Sequence, residues 1–208
     1  MDFDILIIGG GHAGVEAAHI AHQFDLKIGL LSMPGVKLGS TPCNPSIGGV
    51  GKGQVVREID VLGGLMPIVA DKSAIQVRIL NESKGPAVQS TRFQVDKDIY
   101  ASTVEDVLST LENLTIIRKK AVSISNSASS FTVSLDDGSK LTSNKLIVTT
   151  GTFLNGKLHT GDESLSGGRH GCDKSVGLKD LFSQIKTLET RFKTGTPPRL
   201  LKSSLNFS

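Results

Sequence analysis

The feature that most constrains this chain is its opening stretch, where four apolar residues, Ile5 to Ile8, run directly into Gly9-Gly10-Gly11-His12-Ala13-Gly14. An apolar run of that length suits a strand buried on both faces. Gly9, Gly11 and Gly14 fit the spacing G-x-G-x-x-G, and Ala13 to Ala21 are mostly small or helix-tolerant residues. In such a turn Gly9 permits the tight bend, Gly11 lets the backbone approach a pyrophosphate, and Gly14 lets helix and strand pack closely. A helix starting here offers unpaired N–H groups and a partial positive charge to phosphates. Three glycines alone are a weak signal. The strand before them and the helix after them supply the context the motif requires, so the stretch predicts a dinucleotide-binding turn.

The rest of the chain sets limits on its partners. With 208 residues and 38% hydrophobic content, the chain can build a core, and a net charge of +3 permits a nucleic-acid partner without arguing for one. Cys43 and Cys172 are the two cysteines, too few for a disulfide framework, so a reducing cytoplasm is the expected location. Asp2 and Asp4 stand where a signal peptide needs basic residues, and the first apolar run is too short to span a bilayer. Neither a membrane segment nor a metal site is expected.

Lys27 to Leu31 reads as the second parallel strand of a βαβ unit. Many dinucleotide-binding folds end this strand in Asp or Glu to hold the adenosine ribose. Ser32-Met33 stands here instead, so that contact is weaker, made by a hydroxyl or the backbone, or supplied from elsewhere. The following stretch, Leu38 to Gly53, is dense in glycine and proline and predicts irregular structure until about Gln54, then a helix to about Leu62. Long ordered loops after such strands commonly carry function. Within the loop Cys43 lies between two prolines, ahead of glycines able to bring N–H groups around an anion or a thiolate. A small buried hydrophobe is the equal alternative for a free cysteine.

Ile75 to Val88 predicts a strand or short helix leading to a turn at Gly85-Pro86, and Arg92 to Leu111 follows a helical period. Arg57, Arg78, Lys84 and Arg92 could line a basic groove. Glu58, Asp60, Asp71 and Glu82 are interleaved with them, which favours a mixed solvated surface. From Leu114 the pattern turns strand-like, at 114–118, 121–124, 131–135 and 141–148, with a hairpin turn at Asp136 to Ser139. Lys145 to Gly151 then reads as a strand returning to the parallel sheet. This order predicts an α/β, Rossmann-like FAD-binding domain with a parallel sheet, a β-meander and an inserted loop and helix segment. The divisions are a loop and helical segment at about 33–113, a strand-rich meander at about 114–144, and an inserted region starting at about 152–208.

Six stretches sharpen this reading: GGGHAG at 9–14, TPCNPSIGGVGKG at 41–53, ILNESKGPAV at 79–88, GTFLNGKLH at 151–159, LSGGRHG at 165–171 and KTGTPPR at 193–199. In this order the chain resembles the glucose-inhibited division protein A family, also called MnmG, over essentially its whole length. The resemblance implies a flavin-dependent tRNA modification enzyme. With the GTPase MnmE, such an enzyme adds an aminomethyl or carboxymethylaminomethyl group to carbon 5 of the wobble uridine. It implies FAD, NADH and a folate-derived carbon as reactants, and homodimers within a heterotetramer.

By position, the resemblance carries the FAD pyrophosphate loop onto Gly9, Gly10, Gly11, His12, Ala13 and Gly14. It carries a backbone contact to the adenine end onto Val122 and a further FAD contact onto Ser175. Cys43 matches a cysteine that assists the chemistry, while Cys172 reads as structural and His12 as either a helix-start or a catalytic residue. Family members run several hundred residues longer, so the chain is expected to be an N-terminal portion, with the NADH site in the remainder. The other readings are a stand-alone FAD-dependent oxidoreductase and an inactive FAD-binding fragment.

Overall fold

The computed structural model describes residues 1–42, 44–151, 154, 156–168, 190, 195 and 200–206. Its centre is strand β1 (Phe3–Ile8), with Leu6 and Ile7 fully buried, as the apolar run predicts. Strand β2 (Ile28–Ser32) lies parallel on one side of β1, and β9 (Lys140–Val148) lies parallel on the other. Beyond β2 comes the parallel strand β6 (Leu114–Arg118). Beyond β9 come β8 (Phe131–Leu135) and β7 (Ala121–Asn126), both antiparallel to their neighbours. The sheet order is therefore β6-β2-β1-β9-β8-β7, a parallel half joined to a meander through β9. Strands β10 (Lys157–Thr160) and β11 (Glu163–Ser166) form a separate antiparallel pair.

Each face of the sheet has its own core. Ile7, Ile28 and Leu30 meet Val15, Ala18 and Ala21 of helix α1 (His12–Ala21), together with residues from the segment that follows β2. Leu6, Ile8 and Leu31 point the other way and pack with Ala121, Val133 and Leu135 of the meander. Alternation along β1 thus welds both layers to one strand.

The segment after β2 carries helices α2 (Lys52–Val61), α3 (Leu65–Ser73) and α4 (Lys97–Ser109). It also holds a second, antiparallel sheet ordered β3-β5-β4, from β3 (Ser46–Gly48), β4 (Ala74–Leu80) and β5 (Ser90–Val95). Two expectations are corrected here. Strand β3 lies inside the stretch expected to be wholly irregular. The helix expected from Arg92 begins only at Lys97, and Arg92 to Val95 belong to β5. Asp96 explains the boundary, because its carboxylate accepts the N–H groups of Asp98 and Ile99 at 2.9 Å each and caps α4. Phe93 stays in the strand, opposite Ile47 and Val77.

Two residues of α1 fasten this segment to the Rossmann core. The Glu16 carboxylate accepts the backbone N–H groups of Leu65 at 2.9 Å and Met66 at 2.5 Å. It caps α3 from another helix and places a negative charge at the positive end of its dipole. His12 packs its ring 5.6 Å from that of Tyr100 in α4, at an interplanar angle of 56°. Its buried Nε2 has no hydrogen-bond partner among the described residues. Burial, and then the positive charge of Lys52, lower its pKa from 6.5 to about 4. The same burial, and then Glu16, push the Tyr100 phenol well above its ordinary value.

Replacing Glu16 by Ala leaves two helix-end amides without their acceptor, and about 1–3 kcal/mol of stability is expected to be lost in urea denaturation. Glu16→Gln keeps an acceptor and is expected to lose less. His12 yields a pH prediction. Its folded pKa lies below the unfolded value, so the unfolded chain takes the proton more readily. The stability tied to neutral His12 is complete above about pH 6.5 and is lost as the pH falls toward 4. The loss is on the order of 3 kcal/mol. Urea midpoints compared across that range are expected to fall less steeply for His12→Gln than for the wild type; parallel profiles would refute the assignment.

Candidate functional site

The glycine turn sits where β1, β2 and β9 end together, and the chain holds it from three sides. The Gly9 N–H donates to the Leu31 carbonyl at 2.8 Å, closing the turn against β2. The Gly39 N–H donates to the Gly10 carbonyl at 2.9 Å, from the loop beyond β2. The Thr149 hydroxyl, just past β9, lies 3.0 Å from the carbonyls of both Ile8 and Gly9.

The glycines differ in what requires them. Gly9 has φ +116°, a conformation open to glycine, and a Cβ there would lie 2.3 Å from the Thr149 carbonyl oxygen. A Cβ on Gly14 would lie 1.8 Å from the Gly9 carbonyl oxygen, and one on Gly10 would meet Leu38 and Ser32. These three serve the packing of the chain itself. Gly11 is different. Its φ of −74° suits any residue, and a Cβ there would meet nothing within 4 Å. The bare backbone at Gly11 faces open space at the start of α1, whose first turn holds no acidic residue. Helix geometry leaves the first N–H groups without intrahelical acceptors. The cradle fits a pyrophosphate: a close approach is available, the first-turn donors lack intrahelical acceptors, and the dipole favours an anion.

Other site residues fall into place around it. His12 and Ala13 open α1, and the low His12 pKa keeps its imidazole neutral near pH 7. Ser32 is buried, and its hydroxyl oxygen lies 2.6 Å from the position of a Gly10 Cβ, so β2 ends against the glycine turn. Val122 lies in β7, at a register shift between Ala121 and Ser123. Such a bulge takes a residue out of the ladder. Cys43, Cys172 and Ser175 lie outside the described residues. The chain just after Cys43 is held: the Ser46 N–H donates to the Asn44 carbonyl at 2.7 Å, and the Val95 N–H to that of Pro45 at 2.8 Å.

Lys52, at the start of α2, donates from Nζ to the Ser46 carbonyl at 3.1 Å, and burial lowers its pKa. Its charge also lowers the pKa of His12, so the start of α2 lies near the start of α1. Upstream, the Glu105 carboxylate accepts the Leu38 N–H at 2.9 Å and pairs with Arg118, whose guanidinium also reaches the Val36 carbonyl at 2.8 Å. The basic residues weighed from the sequence separate. Arg78 and Arg92 come directly opposite one another on β4 and β5, whereas Arg57 lies on α2 and Lys84 in the turn after β4. Sequence reasoning missed Thr149 and Glu16, whose roles depend on partners distant in the chain.

Among the described residues no helix is long and apolar enough to cross a membrane. The family model for glucose inhibited division protein A matches residues 4–208. The tRNA uridine 5-carboxymethylaminomethyl modification enzyme MnmG of Sulfurihydrogenibium sp. is 43% identical over 211 residues, which is 100% of this chain and 34% of that protein. Its counterpart in Mycoplasma genitalium is 44% identical over 214 residues, again 100% of this chain and 34% of the relative. The chain thus spans about a third of the length of these curated relatives. A solved structure of Aquifex aeolicus GidA superposes with TM-score 0.91 at 42% identity, over 100% of this chain and 35% of that one. The GidA-related protein of Thermus thermophilus, at 17% identity and TM-score 0.57, shares the fold; 88% of this chain and 68% of that one are covered. The expected fold class, a Rossmann-like domain of the FAD-binding type, stands. Motif order, sheet topology and the match over 4–208 agree: the chain belongs to the glucose inhibited division protein A family.

Proposed function

We propose that this chain is the FAD-binding portion of a tRNA-modifying flavoenzyme acting on carbon 5 of the wobble uridine. The observation that carries the reading is the open cradle at Gly11, which no contact inside the described chain explains and a pyrophosphate does. Family membership supports the rest, since relatives are named tRNA uridine 5-carboxymethylaminomethyl modification enzymes. Gly9 to Gly14 would hold the pyrophosphate, with backbone N–H groups donating to its oxygens. Val122 would meet the adenine end through backbone freed by the bulge, and Ser175 would add a further contact. When bound, FAD supplies two-electron redox chemistry at its isoalloxazine ring. Cys43 would assist as a thiolate, with Lys52 lending positive charge from the start of α2. NADH as reductant, a folate-derived carbon, the GTPase MnmE as partner, homodimers within a heterotetramer and a cytoplasmic setting complete the proposal.

Two glycines separate cofactor binding from folding. Gly11→Ala is expected to fold, because its backbone suits alanine, yet to lose flavin, because the methyl group fills the cradle. Gly14→Ala is expected to fail at folding, because its methyl group would collide with the Gly9 carbonyl. Flavin absorbance and thermal melting of the purified proteins check both. Equal flavin in Gly11→Ala and wild type would overturn the cofactor assignment. In a full-length family enzyme carrying this stretch, Cys43→Ser is expected to keep FAD and lose tRNA modification, read by mass spectrometry of digested tRNA. Normal wobble uridines would return Cys43 to a packing role.

A further inference from the structure

The second sheet presents a feature that the dinucleotide site does not use. Strands β4 and β5 pair so that Arg78 faces Arg92, Gln76 faces Gln94 and Leu80 faces Ser90. Directly opposed residues share a face, so both arginines and both glutamines stand on one side. There, Gln76, Arg78, Leu80, Arg92 and Gln94 line a groove of about 230 Å³. The lining contains no carboxylate. Ion pairs among the described residues join Lys37 to Asp98, Arg118 to Glu105 and Lys119 to Asp137, and neither groove arginine takes part.

Like charges placed opposite one another weaken a strand pair. The packed face of β5 is the other one, where Phe93 meets the core, and β4 is exposed along nearly its whole length. An anion that bridges the two guanidiniums turns the repulsion into attraction. Arginine presents a planar fork of donors that matches phosphate oxygens two at a time, and the glutamine amides add neutral donors and acceptors for sugar hydroxyls. The floor is firm. The Ser90 hydroxyl donates to the Gly49 carbonyl at 2.6 Å, and a Cβ on Gly48 would lie 2.1 Å from the Thr91 carbonyl oxygen, so the glycine loop packs hard against β5. The same face continues onto β3. Ser46 of β3 pairs with Gln94, and its carbonyl holds Lys52, whose charge is felt at His12.

We propose that this face of the β3-β5-β4 sheet binds the phosphodiester backbone of the RNA substrate, with Arg78 and Arg92 as its phosphate contacts. The proposal rests on the tRNA reading above and adds the surface that receives the RNA.

The test measures fluorescence anisotropy of a labelled anticodon stem-loop RNA titrated with the wild-type chain and with Arg78→Gln, Arg92→Gln and the double variant. Affinity is expected to fall roughly tenfold or more in the double variant at moderate salt. The slope of log affinity against log salt is expected to flatten by roughly 1 to 2, as loss of two phosphate contacts requires. Lys145→Gln, on the exposed side of β9, is expected to change neither. Melting temperatures are expected to hold or rise in the arginine variants, because a like-charge pair is removed. If a glutamine variant fails to fold, Arg78→Lys serves in its place, expected to weaken binding while keeping the salt slope.

Unchanged affinity and slope in the folded double variant would overturn the proposal, as would absence of RNA binding by the wild type. Displacement of the RNA by inorganic phosphate at matched ionic strength would also overturn it, since the groove would then take a small anion. Flavin content, measured on the same preparations, keeps the two readings apart. Lost RNA binding with flavin retained bears on the groove, and missing flavin in the wild type bears on the cofactor assignment.

Discussion

The structure depends on one close approach, the first turn of α1 against the backbone at the end of β1. The Gly9 carbonyl stands where a side chain on Gly14 would begin, and the Thr149 hydroxyl bonds that same carbonyl from the next strand. Because the helix can come this near, its first turn starts at the ends of the parallel strands, and its first N–H groups have no intrahelical acceptors. The geometry offered to a phosphate is thus a by-product of tight helix–strand packing, and the same atoms hold up the core and shape the site.

The segment between β2 and β6 could have been a loosely tethered insertion. Polar ties of three kinds bind it down. Glu16 reaches from α1 to the start of α3, Glu105 and Arg118 clamp the strand-end loop around Val36 and Leu38, and Lys52 ties the start of α2 to the Ser46 carbonyl of β3. Apolar packing continues through them, since Tyr100, Val104 and Leu108 of α4 share a core with Val15 and Ala18 of α1. The second sheet is consequently held to the same core through Ile47, Phe93 and Val95.

Much of this was legible in the residues, and the failures have a common cause. Gly9 and Gly14 could be read because their requirements are local, set within six residues of one another. The strands from Leu114 to Val148 could be read because alternation and a turn at Gly138 are local signals too. Thr149 and Glu16 could not, because each acts on a partner brought near only by folding. Phe93 misled because its spacing to Tyr100 fits a helical period, although a cap at Asp96 separates a strand from a helix there. The opposition of Arg78 to Arg92 depends on register across a turn in which Asn81 takes φ +56°, and charge order along the chain does not reveal it. Interleaved acids favoured a mixed solvated surface, but adjacency in sequence is not adjacency on a sheet.

The pairing of β1 with β9 also has a consequence in time. Residues 3 to 8 find their parallel partner only at residues 143 to 148, and Gly9 meets the Thr149 hydroxyl across 140 positions of chain. During synthesis β1 leaves the ribosome before β2 and β9 and can pair early with β2, through the short α1 crossover. Its other edge stays open until the entire helical segment and the meander have been made. Long-range parallel pairings form late because a large loop must close before any contact rewards it. The glycine turn, translated before β2 and β9, is therefore among the last parts of the sheet to acquire its working geometry, and a nascent chain short of residue 149 lacks the clamp that completes it.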